Sequence, residues 1–305
     1  MMERRQLGRT DLNVSAIGMG CVTFGREIDE NTSFAVLDYA YERGINLLDT
    51  AAAYAAGASE QVVGNWLQSR GCRDQIVLAT KVNGILNREH VLRSAEESLR
   101  RLQTDCIDLY QLHSWDETTP LEETLEVLQE LVHSGKVRYI GCSNFSAWQL
   151  AKGALWSAEG GHSRFESIQP PYNLVQREIE ADLLPLCEDQ QIGVLSYSPL
   201  GAGFLTGKYT RNGEVPAGSR FDVIPGHQPI YFTDRGFQVV EELSQMAEET
   251  EMSMIQLALS WVIHQPAVTS MLVGAREPRH LDQAFVAQTR PLSEDLIERL
   301  NRAGM

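Results

Sequence analysis

Cysteine is scarce in this sequence, and its spacing forms no recognisable pattern. The chain has five cysteines, an odd number, with no Cys-x-x-Cys pair and no histidine at the spacing of a zinc ligand. A disulfide framework requires paired cysteines and a structural zinc site requires closely spaced ligands, so the sequence indicates neither. We therefore expect reduced thiols, no metal site and a cytoplasmic protein.

Positive charge and long apolar runs are also lacking. Lysine and arginine together number 26 against 41 aspartates and glutamates, which gives a formal net charge of −15 at pH 7. Such a surface repels polyphosphates and anionic lipids, so nucleic acid and membranes are poor partners. No apolar segment of a secretory leader follows the first six residues, and no apolar run approaches the length that spans a bilayer.

Hydrophobic residues are plentiful and recur in regular alternation. They make up 43% of the 305 residues, enough for a sizeable core. Apolar runs rich in β-branched residues predict eight strands, at 16–20, 45–49, 75–81, 107–113, 137–144, 167–172, 193–197 and 270–274. Segments with a period of 3.6 residues predict eight helices, at 31–42, 59–69, 88–102, 120–134, 146–156, 179–190, 236–264 and 278–289.

This alternation predicts the architecture. Strands buried on both faces and followed by amphipathic helices are typical of a parallel sheet, and eight such units favour an α/β fold of the (β/α)8 (TIM) barrel type over an open sheet. One domain would cover residues 1–305. Residues 4–14 predict a short hairpin that closes the bottom of the barrel, and residues 208–235, which lack periodicity, predict a long loop over the active-site mouth.

Polar residues at the strand ends indicate where the chemistry takes place. In a barrel of this kind the active site lies at the C-terminal ends of the strands. The second strand ends in Asp49 and is followed by Tyr54, the third ends in Lys81 and the fourth in His113. We expect these four side chains to converge. An isolated Asp–Lys pair is more often a structural ion pair, but the four residues together favour a catalytic site.

These residue types suit the reduction of a carbonyl group, which places a hydride on carbon and a proton on oxygen. A phenol with a reference pKa of about 10 donates a proton poorly near neutral pH unless its anion is stabilised. Lys81 would supply positive charge beside Tyr54, and Asp49 would pair with Lys81 and fix its position. His113 would orient the carbonyl group by hydrogen bonding to its oxygen.

The motifs at these strand ends resemble those of the aldo-keto reductases. They are D-T-A-x-x-Y at 49–54, A-T-K at 79–81, Q-L-H at 111–113, G-C-S-N-F at 141–145 and Y-S-P-L-G at 197–201, in the family's order and spacing. The resemblance implies an NADPH-dependent oxidoreductase that reduces an aldehyde or ketone to the alcohol. It also implies that Asp49, Tyr54, Lys81 and His113 are catalytic, with Tyr54 as the proton donor.

The same resemblance implies a dinucleotide site on the later strands. Positions that match those holding the carboxamide and stacking on the nicotinamide are Ser143, Asn144, Gln169 and Tyr197. Positions that match the segment beside the pyrophosphate are Ser198, Pro199, Leu200, Gly201, Gly203, Leu205 and Lys208. Positions around the helix after the eighth strand are Gly274, Arg276, His280 and Gln283, where the cations would bind the 2′-phosphate of NADPH or NADP.

Two departures from the family pattern affect this interpretation. Ala284 stands where the family usually has an asparagine that contacts adenine, which keeps NADH as an alternative cofactor. Tyr54 is followed by Ala55 instead of glycine, so we expect a differently shaped turn there.

The glycines between 201 and 207 do not form a Rossmann fingerprint, because their spacing is G-x-G-x-x-x-G and no helix follows. The Tyr-x-x-x-Lys of short-chain dehydrogenases is absent.

The expected substrate is a small neutral carbonyl compound, either a small aldehyde or a sugar-like carbonyl. Phe24 and Trp115 lie on loops at the mouth and would supply aromatic walls. Two other functions stay open. The same residues would catalyse oxidation of an aldose or alcohol, and the fold also hosts non-catalytic subunits that bind a dinucleotide and sense redox state. The sequence selects neither the direction of the reaction nor the oligomeric state.

Overall fold

A computed structural model describes residues 1–211 and 213–303 of the chain. This part of the chain contains the strands β1 (Arg4–Gln6), β2 (Asn13–Ser15), β3 (Ile17–Gly20), β4 (Leu47–Asp49), β5 (Val77–Val82), β6 (Ile107–Leu112), β7 (Val137–Ser143), β8 (Phe165–Gln169), β9 (Gly193–Ser196) and β10 (Val268–Gly274). Its helices are α1 (Glu30–Glu42), α2 (Ala58–Arg70), α3 (Arg88–Leu102), α4 (Leu121–His133), α5 (Ala147–Gly160), α6 (Leu183–Gln190), α7 (Arg220–Val223), α8 (Gln228–Tyr231), α9 (Asp234–Glu249), α10 (Met254–Ile263), α11 (Asp282–Thr289) and α12 (Glu294–Ala303).

Strands β3 to β10 form a closed parallel barrel. They pair in chain order, and β10 closes the barrel by pairing with β3, with Leu272 opposite Gly18. Strands β1 and β2 form a separate antiparallel pair in which Arg5 lies opposite Val14. The predicted (β/α)8 barrel and its N-terminal hairpin are therefore confirmed. Among the described residues, no helix combines the length and the apolar character needed to cross a bilayer.

The hairpin fills the end of the barrel at which the strands begin. Leu7, Leu12 and Val14 are buried and belong to one interior cluster with side chains from the barrel strands, which are Leu47, Val77, Ala79, Leu109, Leu195 and Leu272. Gly193 allows this close contact, because a Cβ atom at that position would lie 2.6 Å from Cδ1 of Leu7. The lower half of the barrel is consequently packed with apolar side chains.

The helices bury their apolar faces against the outside of the barrel, as α3 illustrates. Val91, Ala95, Leu99 and Leu102 recur at helical spacing and are buried. The helix begins after Asn87, whose side chain accepts a hydrogen bond from the backbone N–H of His90. The predicted helix 88–102 is confirmed, and its apolar periodicity and its N-cap both point to these bounds.

Near the C-terminal end of the chain one prediction was wrong, and one helix was not predicted. The segment 236–264 is two helices, α9 and α10, because Ser253 and Gln256 form a capping box that begins a new helix at Met254. Helix α12 was not predicted, although Leu296 and Leu300 are buried on one face of it. Residues 304 and 305, which the predicted domain also included, lie outside the described residues.

The segment 208–235, predicted as a long loop, is described by the structure except for residue 212. It contains the short helices α7 and α8. Phe221 and Tyr231 are buried in this segment, and their rings pack with those of Phe204, Tyr209 and Phe232; the ring of Phe232 also contacts that of Phe237. These aromatic contacts therefore stabilise a segment whose sequence has neither helical nor strand periodicity.

Candidate active site

The four predicted catalytic residues lie together at the C-terminal end of the barrel. Asp49 is the last residue of β4, Lys81 lies near the end of β5, and His113 directly follows β6. Tyr54 begins a 3-10 turn that links β4 to α2. In this turn Ala55 and Ala56 have positive φ angles of 49° and 53°, a conformation that glycine adopts more easily.

Lys81 is the centre of the contacts among these residues. Its Nζ atom donates hydrogen bonds to Oδ2 of Asp49 at 2.6 Å, to the backbone oxygen of Thr50 at 2.9 Å and to the hydroxyl of Tyr54 at 3.2 Å. The side chains of Lys81 and Asp49 are 0% and 3% exposed. The ammonium group is thus fixed on three sides and directed at the phenol oxygen.

The electrostatics keep the tyrosine protonated and the lysine charged. Burial raises the pKa of Tyr54, and the positive charge of Lys81 acts in the opposite direction. Burial alone would lower the pKa of Lys81, but the charge and hydrogen bonds of Asp49 and Tyr54 raise it above its usual value. If Tyr54 lost its proton, the anion would therefore form beside a fixed positive charge.

Two glutamine side chains complete the surroundings of Asp49. Its Oδ1 atom accepts hydrogen bonds from Nε2 of Gln111 at 3.2 Å and from Nε2 of Gln169 at 2.8 Å. Gln111 was not predicted as a site residue, although it precedes His113 by two residues and so points to the same face of the strand. These bonds orient the carboxylate that holds Lys81.

His113 is uncharged at neutral pH. Burial, followed by the charge of Lys81, lowers its pKa to about 4. Its ring packs edge-on against that of Tyr54, with the ring centroids 5.6 Å apart. The Nδ1 atom is buried without a hydrogen-bond partner. A neutral imidazole beside the phenol has the chemistry to donate a hydrogen bond to a carbonyl oxygen.

The lowered pKa of His113 predicts a specific loss of stability in acid. Between pH 6.5 and about pH 4 the unfolded chain binds a proton at His113 that the folded protein does not, so stability falls as the pH decreases through this range. Above pH 6.5 both states are neutral and the contribution is constant. Thermal melts from pH 7 to 4 should show a steeper decrease in Tm for the wild type than for His113→Asn. Parallel Tm curves would contradict this prediction.

The predicted nicotinamide-binding residues form a connected set at the C-terminal ends of β7, β8 and β9. The Ser143 hydroxyl donates to the backbone oxygen of Gln169 at 2.7 Å, and the Asn144 amide donates to the backbone oxygen of His113 at 2.8 Å. The hydroxyl of Tyr197 donates to Oδ1 of Asn144 at 2.8 Å. Asn144 and Ser198 have positive φ angles of 58° and 55°, so the backbone is strained beside the site.

The glycine-containing segment after β9 forms a tight turn. Pro199 and Leu200 precede a 3-10 turn over Gly201–Thr206, in which Gly203 has a φ angle of 88° and Leu205 is buried. The Nζ atom of Lys208 lies 3.2 Å from the position that a Cβ atom of residue 203 would occupy. The turn therefore brings the Lys208 ammonium group next to Gly203, where the backbone carries no side chain.

Three arginines lie near one another between the first and last loops of the barrel. Arg220 pairs with Glu27 at 2.9 Å, and Glu27 also pairs with Arg26 at 2.6 Å. Burial and the nearby charge of Arg26 lower the pKa of Arg220, and the charge of Arg276 adds to this effect. The charge of Glu27 acts in the opposite direction, but the pKa stays below its usual value. The Arg276 side chain also donates to the backbone oxygen of Gly218 at 3.4 Å. The segment 208–235 is thus connected to both loops.

The remaining predicted cofactor residues lie at the start of α11 and just before it. Gly274 ends β10, and the His280 ring accepts a hydrogen bond from the backbone N–H of Arg276 at 3.3 Å. The Gln283 side chain accepts from the Ser253 hydroxyl at 3.2 Å. Ala284 is fully buried. The His280 side chain is exposed and that of Arg276 is half-buried, while Ala284, which lacks a polar side chain, packs in the core.

The two predicted substrate-binding residues differ in their surroundings. Phe24 is 0% exposed and packs in the core, so its ring does not line an open pocket. Trp115 is half-buried, and its ring contacts those of Phe145 and Trp148. Of the two, Trp115 is the aromatic residue that a bound molecule could reach.

A separate cleft of about 450 Å³ lies at the opposite end of the barrel, far from these residues. In this cleft Asp108 pairs with Arg73 at 2.8 Å and with Arg138 at 2.9 Å. The N-terminal end of a TIM barrel generally contributes to stability, not catalysis. We therefore place the candidate active site at the cluster around Lys81.

Comparison with known proteins identifies the family. The family model described as "Aldo/keto reductase family" matches residues 16–304. The chain belongs to the aldo/keto reductase family. It is 38% identical over 298 residues to the aldo-keto reductase YhdN of Bacillus subtilis (strain 168), in an alignment that covers 92% of this chain and 87% of that protein. This membership supports oxidoreductase activity on carbonyl compounds.

Other relatives of this aldo/keto reductase have different names. It is 33% identical over 328 residues to norsolorinic acid reductase B of Dothistroma septosporum, covering 99% of this chain and 81% of that protein. It is also 33% identical over 296 residues to a probable voltage-gated potassium channel subunit beta of Oryza sativa subsp. japonica, covering 92% and 89%. The family thus includes proteins named as reductases and proteins named as channel subunits.

Proposed function

We propose that this protein is an NADPH-dependent reductase that converts a neutral aldehyde or ketone to the alcohol. The observation that supports this proposal most directly is the contact of the buried Lys81 ammonium group with both Asp49 and the Tyr54 hydroxyl. A structural ion pair would need no phenol at the third position. Here the phenol lies where loss of its proton would be stabilised by the adjacent charge.

Each residue of the cluster has a distinct role in the proposed reaction. The His113 imidazole donates a hydrogen bond to the carbonyl oxygen and holds it near Tyr54. The hydride for the carbonyl carbon would come from a dihydronicotinamide held beside Asn144 and Tyr197. Tyr54 transfers its hydroxyl proton to the oxygen, and Lys81 stabilises the resulting phenolate until it is reprotonated. Asp49 keeps Lys81 in place and is not itself a proton donor.

The chain has suitable groups to hold such a dinucleotide. Asn144 and Tyr197 present hydrogen-bonding groups and an aromatic ring beside the catalytic cluster. The turn around Gly203 leaves room for a phosphate next to Lys208, because residue 203 has no side chain. Arg276 and His280 supply cations near the start of α11 in a protein of net charge −15. These groups fit the nicotinamide, the pyrophosphate and the 2′-phosphate respectively.

Arg276→Ala should weaken NADPH binding and leave NADH binding nearly unchanged. A lost charge-assisted contact to the 2′-phosphate is worth about 1.5 to 3 kcal/mol, which corresponds to roughly 10- to 150-fold in Kd. Fluorescence titration with each cofactor measures both values. The control is Arg279→Ala, because Arg279 is 79% exposed and pairs with Glu277. Equal losses for NADPH and NADH would contradict a role of Arg276 in 2′-phosphate binding.

The proposal is tested by steady-state turnover. Purified protein is mixed with NADPH and a panel of small aldehydes, ketones and aldoses, and NADPH oxidation is followed by absorbance. Catalytic turnover of at least one carbonyl compound supports the proposal. The corresponding alcohols, mixed with NADP, test the oxidative direction, which the same residues would catalyse.

A second candidate function is a non-catalytic, dinucleotide-binding subunit that senses redox state. The observation that favours it is the similarity to a protein named as a channel subunit. Tight NADPH binding with at most about one turnover per bound cofactor would support this alternative. Sustained turnover of aldehydes would exclude it as the sole function.

A further inference from the structure

Large apolar side chains are exposed at the catalytic end of the barrel. Trp148 is 62% exposed and Ile85 is 57% exposed. Ile85 lies in the loop after β5, and Trp148 lies in the first turn of α5, directly after the loop that follows β7. Both loops therefore flank the loop after β6, which carries Trp115. Three consecutive loops thus present apolar groups on one side of the site.

The tryptophan rings continue outward from the catalytic residues. Trp115 follows His113 by two residues, so their Cα atoms lie within about 7 Å of each other. The ring of Trp115 packs edge-on between those of Phe145 and Trp148, at centroid distances of 5.2 and 5.4 Å. One face of this aromatic row is anchored in the core through Phe145, which is buried. The outer end, Trp148, is open to solvent.

The loop that carries Trp115 is held rigidly by Asp116. The Asp116 carboxylate accepts hydrogen bonds from the backbone N–H groups of Leu86 and Thr118 and from the hydroxyl of Thr119. The bond to Leu86 joins this loop to the one that carries Ile85. Trp115 is therefore preorganised for binding, and little conformational entropy is lost when a ligand contacts it.

Burial in the fold does not explain Trp148. A tryptophan contributes to stability mainly through the apolar surface that it removes from water, and most of the surface of this one stays in water. Its ring contacts that of Trp115. Exposed apolar surface next to a catalytic site is typical of a surface that binds a ligand.

We propose that Trp115 and Trp148 form a distal subsite that binds the second ring of an extended aromatic aldehyde or ketone. This proposal rests on the proposed function, since the carbonyl group of the same molecule would lie at Tyr54 and His113. Aromatic rings bind one another edge-on or offset at about the centroid distances seen in this row. The first ring of the substrate would contact Trp115, and the second would contact Trp148. A one-ring substrate would not depend on Trp148.

The charges nearby select against an anionic second ring. Asp116 is ionised, because its hydrogen bonds hold the pKa of its carboxyl far below the usual value. The one lysine of α5, Lys152, pairs with Glu122 at 3.2 Å. A neutral, polarisable aromatic group therefore fits this subsite better than a carboxylate or phosphate.

Trp148→Ala is tested with benzaldehyde as the one-ring substrate and 4-phenylbenzaldehyde as the two-ring substrate. The variant should lower kcat/KM for 4-phenylbenzaldehyde by about five- to tenfold through a higher KM, because the contact contributes equally to ground-state and transition-state binding. The values for benzaldehyde should stay unchanged. Trp148→Phe should restore most of the lost kcat/KM.

Leu155→Ala is the matched control. Leu155 lies seven residues further along α5, on the same face of the helix, and is 66% exposed. It is further from the catalytic end, so its replacement should leave both substrates unaffected. Equal effects of Trp148→Ala on both substrates, or no effect on either, would overturn the proposed subsite.

Direct binding separates this proposal from the proposed function. If the wild type reduces no compound of the carbonyl panel, the proposed function fails, and calorimetric titration of the cofactor-loaded protein with 4-phenylbenzaldehyde still tests the subsite. Binding that Trp148→Ala weakens about five- to tenfold supports the subsite. Binding of equal strength in the wild type and Trp148→Ala, or no binding to the wild type, overturns it.

Discussion

Replacing Tyr54 by phenylalanine should lower kcat for aldehyde reduction by roughly 100- to 10,000-fold, the usual contribution of a positioned general acid. The ring stays in the fold and keeps its packing against His113, while the hydroxyl that contacts Lys81 is lost. The Kd for NADPH should therefore change by less than about twofold, since the contact that is removed acts in the chemical step. Single-turnover kinetics with saturating NADPH measures the effect on that step.

Tyr139→Phe provides the control for this prediction. It makes the same chemical change at the opposite end of the barrel, where the Tyr139 hydroxyl donates to Asp11 at 2.9 Å. Its kcat should equal that of the wild type. If Tyr54→Phe kept most of its activity and its pH dependence were unchanged, another group would be the proton donor.

Replacing Lys81 by methionine should both abolish activity and destabilise the fold. The Asp49 carboxylate would stay buried without its positive partner, and breaking a buried ion pair on one side costs about 3 to 5 kcal/mol. For a protein of this size we expect Tm to fall by roughly 5 to 10 °C. Thermal melts and NADPH oxidation assays on the same preparation measure the two effects together.

The double variant Asp49→Asn with Lys81→Met distinguishes stability from catalysis. Its neutral amide removes the unpaired charge and still accepts the hydrogen bonds of Gln111 and Gln169. The double variant should regain most of the lost Tm and stay inactive. Recovery of activity together with stability would mean that Lys81 acts only as a structural ion pair.

The sequence predicted the elements in which several independent signals coincide. Helix α3 combines a strong apolar periodicity with an N-cap at Asn87, and its bounds match those predicted. Strand β6 begins at Ile107 as expected, because an apolar run there is buried on both faces. The position of Asp49, Lys81 and His113 at or near strand ends predicted that they lie together, because parallel strands bring their C-terminal ends to one edge of the barrel.

Other features depend on contacts between distant segments. The predicted loop 208–235 has no periodicity because its aromatic residues Phe221 and Phe232 pack on Phe204 and Phe237, which lie outside it. The break between α9 and α10 was readable from the Ser253–Gln256 capping box, but the apolar pattern continues across it. Burial of Phe24 depends on the whole barrel, so a position on a loop after a strand does not predict it.

The site contains contacts that local patterns do not reveal. The pair between Arg220 and Glu27 joins residues 193 positions apart, and no spacing rule indicates it. Trp148 was assigned to the predicted helix 146–156, where an aromatic residue ordinarily belongs to the buried face. Its exposure follows from the position of the first turn at the rim of the barrel, which is a property of the assembled fold.

The hairpin that fills the lower end of the barrel has a consequence for the order of events in the proposed reaction. Leu7, Leu12 and Val14 close that end, so reactants and products exchange through the opposite opening. The segment 208–235 spans the side of this opening where the dinucleotide would lie, through Arg220 with Glu27 and Arg276 with Gly218. Carbonyl compounds would enter and leave without disturbing these contacts. The cofactor would therefore bind first and leave last. Its release would limit the rate of turnover whenever the chemical step is faster than the opening of this segment.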